Sequence, residues 1–102
     1  MLVFDRTHFD VMTGADRALQ LEVLSLFRTQ VAGWNGDGAP GWREGVHAIK
    51  GAAQGIGLFA LAAACEAAEQ ASENERLSAL VHMDAALEEA LSALEQFAAA
   101  PA

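Results

Sequence analysis

Apolar residues return every three to four positions between Asp16 and Trp34, at Leu19, Val23, Leu24, Phe27, Val31 and Trp34. That is the helical period, and it leaves Arg17, Gln20, Arg28 and Thr29 for solvent. No apolar-polar alternation is long enough for a strand. Long stretches consist instead of Ala, Leu, Glu and Gln, all good helix formers. The chain is therefore expected to be all-α.

The same reasoning places four more helices. A short one covers His8 to about Met12, capped by the Thr7 hydroxyl. The run GWNGDGAPG, from Gly33 to Gly41, is too rich in Gly and Pro to be helical and reads as a loop. A third helix opens near Gly41 and Trp42 and continues to about Gly55, burying Trp42, Val46, Ile49, Ala53 and Ile56. Gly55-Ile56-Gly57 marks a break. A fourth runs from about Leu58 to Ala71, burying Leu58, Leu61, Ala64, Cys65 and Ala68. A fifth, with Asn74 as its cap, buries Leu77, Leu80, Val81, Leu87, Leu91, Leu94 and Phe97. Short connections between helices of this length predict an antiparallel four-helix bundle with a short extra N-terminal helix. The Ala-rich end is expected to fray.

The chain's 102 residues make one domain, 1–102, with a single core and little room for a deep cleft. No apolar run reaches the roughly 18 residues of a membrane span, and MLVFDRTHFD lacks the layout of a secretion signal. One cysteine, Cys65, can form no internal disulfide and reads as a packed small side chain. A cytoplasmic location is expected. With a net charge of −8 and six scattered basic residues, nucleic acid is excluded as a partner. A start at Met1 and an Ala-rich tail suit a free-standing protein.

On the third helix the buried stripe leaves His47, Lys50, Gly51 and Gln54 on the opposite face. A neutral imidazole nitrogen is a competent nucleophile near pH 7, because its unperturbed pKa is about 6.5. Lys50, one turn on, can neutralise phosphoryl oxygens, which is most of what phosphoryl transfer asks of a protein. Gly51 costs about 1 kcal/mol relative to alanine inside a helix, and its missing side chain clears space for a docking protein. Gln54 can hydrogen-bond the ring or the phosphoryl group. Arg43, Glu44, Gly55 and Leu58 share or border this face and are candidates for partner docking.

The segment HAIKGAAQGIGLFALAAACEAAE, His47 to Glu69, resembles the signature of the histidine-containing phosphotransfer (HPt) domains of bacterial two-component relays. The family's His, Lys and Gly fall at His47, Lys50 and Gly51, with Gly57, Leu61, Cys65 and the closing Glu69 in ungapped register. Leu26-Phe27 matches more loosely, and the last helix only in type. Ala52 and Ala68 depart from the pattern. The resemblance implies a bundle whose His47 accepts phosphate from a sensor or hybrid histidine kinase or a receiver aspartate. His47 then passes it to a response-regulator receiver domain. It also implies no kinase activity in this chain and no cofactor on it, the magnesium ion belonging to the receiver.

Other readings stay open. A non-catalytic helical adaptor would keep the bundle and need no exposed His47. A metal-binding bundle would use Glu-x-x-His pairs, of which Glu44 and His47 form one, but a second copy is missing. His8 has no acidic or cysteine partner at ligand spacing, and His82, between Val81 and Met83, reads as a surface or boundary residue of the last helix. Glu66, Glu69, Glu73 and Glu75 read as a solvated acidic face.

Overall fold

The described residues form five helices: α1 (Arg6–Thr13), α2 (Arg17–Ala32), α3 (Trp42–Ile56), α4 (Phe59–Gln70) and α5 (Arg76–Ala99). The computed structural model describes residues 1–34 and 40–100. Part of the expected loop, 35–39, and the expected fraying at 101–102 lie outside the described residues. The helices α2 to α5 form the antiparallel bundle, and α1 packs across α2 and α3. No helix is long and apolar enough to cross a membrane among the described residues.

One core runs through all five elements, from Phe9 and Leu24 through Val46, Ile49 and Leu61 to Met83, Leu94 and Phe97. The α3/α4 and α4/α5 pairs are the most extensive. Their buried positions include Ala53, Ala62, Ala64, Cys65, Ala68 and Ala90, whose small side chains let the helix axes approach closely. That closeness lets long side chains of α3 reach across to α4.

The α3–α4 turn is built on Gly57, at φ +99°, whose N–H donates to the Ala53 carbonyl as Leu58 N–H does. A Cβ at Gly57 would stand 2.8 Å from the Asp5 carbonyl oxygen. The extended N-terminal segment lies that close because Asp5 N–H donates to the Gly57 carbonyl (2.8 Å) and Ala60 N–H donates to that of Leu2 (2.9 Å). Phe4, Phe9 and Phe97 then close this end edge to face, with centroids 5.6 Å apart. The Arg17 guanidinium donates to the carbonyls of Phe97, Ala98 and Ala100, satisfying the C-terminus of α5.

Several expectations need correction. Asp5, not Thr7, caps α1 by accepting from His8 N–H, and α5 starts after Glu75 with no side-chain cap from Asn74. Gln20 is buried, with its amide donating to Asp10 Oδ1 (2.8 Å) and Thr13 Oγ1 (3.0 Å), because α1 covers that side of α2. Leu19 is largely exposed in its place. The buried line of α5 is Leu80, Met83, Leu87, Ala90, Leu94 and Phe97. Val81 lies one residue, about 100°, off that line, and Leu77 sits in the first turn; both are exposed. Trp42 and Leu91 are only half-buried.

Candidate functional site

Val46 and Ile49 are buried against the bundle, so the residues between and beyond them, at 47, 51, 54 and 55, emerge on the outer side of α3. The His47 side chain is 71% exposed. Its Nδ1 lies 3.3 Å from Glu69 Oε2, on α4. A carboxylate can only accept, so the ring proton sits on Nδ1 and the lone pair of Nε2 is left toward solvent.

Lys50 does not stand free beside the ring. Its side chain is 15% exposed, and its ammonium donates to Glu66 Oε2 at 2.7 Å. It also lies 2.8 Å from Glu69 Oε1, a charge contact that is not aligned as a hydrogen bond. Glu69 thus joins the imidazole to the ammonium through its two oxygens. The carboxylates of Glu66 and then Glu69 hold Lys50 above its ordinary pKa. Lys50, and to a smaller degree His47, hold Glu69 below the usual carboxylate range.

Arg43 extends the crossing. It donates to the carbonyls of Glu69 and Ala71 and stacks on Trp42, 4.4 Å from the ring centroid. Cationic donors suit the negative pole of α4 there. Arg43 was a docking candidate; the structure shows its guanidinium spent on the end of α4, where it steadies the backbone of Glu69.

The remaining candidates divide. A Cβ added at Gly51 or Gly55 would meet nothing within 4 Å, and both residues are exposed. Nothing inside the protein explains a glycine at either position. Glu44 is exposed in the first turn of α3 and turns back over Gly41, a favourable place for a carboxylate but not one beside the ring. Gln54 is exposed but two turns on, about 10 Å along the axis, and does not bond the imidazole. It borders a shallow groove with Phe59, Ala62, Ala63 and Glu66. Leu58 is a correction: it is fully buried in the α3–α4 turn and offers no surface to a partner.

Beside Gly55, on the α2 side, an apolar groove of about 340 Å³ is lined by Leu19, Val23, Leu26, Ala52 and Ile56 among others. Ala52, one of the two departures from the family pattern, lines this groove. The other histidines differ from His47. His8 packs edge-on against Phe59 with Nε2 buried and unpartnered, and His82 is exposed on α5. Among the described residues no three His, Cys, Asp or Glu are grouped to hold a metal ion.

Sequence reasoning missed Glu66 and the linking role of Glu69 by assigning both to a solvated acidic face. A signal was present. In an antiparallel pair, the register that sets His47 against Glu69 also sets Lys50 against Glu66, three residues on along one helix and three back along the other.

The model of the Hpt domain family matches residues 10–97. Among solved structures, the chain is similar to the histidine phosphotransferase ShpA from Caulobacter crescentus. The two are 36% identical, with a TM-score of 0.81 over 95% of this chain and 91% of that one. No curated protein matches.

Proposed function

The chain belongs to the Hpt domain family and is a phosphorelay carrier, and on that premise we propose that His47 is the residue that carries the phosphoryl group. The observation that supports this is the exposed ring with one nitrogen anchored and the other without a partner among the described residues. The Nε2 lone pair attacks the phosphorus of a receiver's aspartyl phosphate. As the N–P bond forms, the P–O bond to the aspartate breaks, and its electrons leave on the carboxylate. The Nδ1 proton stays where it is, facing Glu69, whose negative charge offsets the positive charge that develops on the ring. In the reverse transfer the ring departs as neutral imidazole, its Nδ1 proton already in place. Neither direction needs a proton to move.

Lys50 neutralises phosphoryl oxygens during transfer, which is most of what such a step needs from side chains. The partners are response-regulator receiver domains and a sensor or hybrid histidine kinase. A receiver docks across His47, Gly51 and Gly55, with the apolar groove beside Gly55 taking part of its surface. Glu44 and Gln54 lie at the margin of that footprint. The magnesium ion belongs to the receiver, and this chain carries phosphate in the cytoplasm without kinase activity of its own. A non-catalytic adaptor would give no reason for a tethered, outward imidazole followed, one and two turns on, by glycines that nothing among the described residues requires.

Incubation with a phosphorylated receiver domain tests the assignment. An acid-labile, alkali-stable phosphoryl group is expected on the wild-type protein and none on His47→Gln. Equal loading of His47→Gln would remove His47 from the role.

A further inference from the structure

Glu66 is half-exposed, yet both its oxygens are engaged: Oε2 accepts from the Lys50 ammonium and Oε1 from the Gln70 side-chain amide. It does not touch the imidazole. Its place in the register gives it one contact with the site, and that contact is the ammonium. Glu69 holds the same ammonium from the other side and also holds the ring. In the empty carrier, one cation therefore serves two carboxylates.

Loading brings a third claimant. A protein-bound phosphoryl group adds roughly −1.5 to −2 of charge near neutral pH. The phosphoryl oxygens form at Nε2, on the edge of the ring turned away from Glu69. The ammonium has three donors and can turn one to these oxygens, but each carboxylate then competes with the phosphoryl group for a single positive charge. Glu69 is also held to the ring, whereas Glu66 is tied to the site through the ammonium alone. The contact with Glu66 thus favours the empty state, in which the ammonium's charge is not shared with a phosphoryl group.

We propose that Glu66 is a positioning residue that sets how fully His47 holds phosphate, by competing with the phosphoryl group for the Lys50 ammonium. It biases the carrier toward discharge, so that phosphate taken from one receiver is readily given to the next. The inference rests on His47 as the acceptor.

The test is the equilibrium partition of labelled phosphate between this protein and a receiver domain that loads it. Glu66→Gln, close in shape and neutral, frees Lys50. It should raise the ratio of loaded to empty carrier about two- to fivefold, the scale of a half-exposed ion pair. In a Lys50→Met background the same substitution should change nothing, because the coupling runs through that ammonium. Glu73→Gln removes an equal charge from an 83% exposed carboxylate paired with Arg76, and should also leave the partition unmoved. The inference is overturned if Glu66→Gln leaves the ratio unchanged or lowers it. It is overturned equally if the shift persists without Lys50 or appears with Glu73→Gln, since bulk charge would then explain it. Failure of wild-type protein to load on His47 at all would instead remove the acceptor assignment, and this inference with it.

Discussion

Replacing Gly51 with alanine separates what helix α3 wants from what a partner wants. Gly51 lies in the interior of α3, at a φ outside the left-handed region, and a Cβ there meets nothing within 4 Å. The folded protein therefore accepts the methyl group without strain. The gain is the ordinary difference between glycine and alanine in a helix, about 1 kcal/mol, largely from the smaller entropy of the unfolded chain. In a domain of this size, that raises the melting temperature by about 4–8 °C. Phosphotransfer should move the other way. The methyl group projects from the turn after His47, on the surface over which a receiver must bring its aspartyl phosphate to within about 3–3.5 Å of Nε2. A misplacement of about 1 Å can cost on the order of 100-fold in rate. The assays are urea and thermal denaturation beside the rate of transfer from a phosphorylated receiver. A more stable protein that transfers at least tenfold more slowly is expected. A more stable protein with wild-type transfer would refute the clearance role, and a less stable one would refute the open surface at Gly51.

Three other outcomes follow from the same geometry. Gly57→Ala should destabilise by on the order of 2–3 kcal/mol, seen as a lower urea midpoint, because its φ of +99° and the Asp5 carbonyl at 2.8 Å both oppose a side chain. Glu69 has its folded pKa lowered by Lys50 and His47, so its contribution to stability is complete above the ordinary carboxylate range and is lost as pH falls through that lowered value. Stability measured from pH 6 down to pH 3 should accordingly fall less steeply for Glu69→Gln than for the wild type, and parallel curves would contradict the linkage. Burial, helped by the charge of Glu69, pushes the Cys65 thiol up to about 12, so alkylation in native buffer should occur only at the rate of opening. Prompt labelling without denaturant would contradict a closed α3/α4 interface.

Local pattern carried much of this structure, and long-range pairing carried the rest. The stripe through Leu24, Phe27 and Val31 is legible because helical period and burial coincide within one element. His47 and Gly51 are legible for the same reason, since the buried Val46 and Ile49 leave them only the outer side. Gln20 was not legible. Its burial depends on α1 folding across α2, and its amide is satisfied by Asp10 and Thr13 from that other helix. Leu58 reads two ways in the sequence, as the first buried position of the fourth helix and as part of the outer face of α3, and the turn at Gly57 settles it fully in the core. Lys50 looks free on α3 alone. Only the closeness of α4, allowed by small residues such as Ala53 and Ala68, brings Glu66 and Glu69 within reach of it. The same crossing converts Arg43 from a surface cation into a brace on the end of α4.

Heteronuclear NMR of the phosphate-loaded protein tests the central claim most directly, because coupling to phosphorus identifies the bonded ring nitrogen. The tether between Nδ1 and Glu69 requires the N–P bond at Nε2 of His47, with the Nδ1 proton retained. Coupling at Nδ1, or on the ring of His8 or His82, would contradict it.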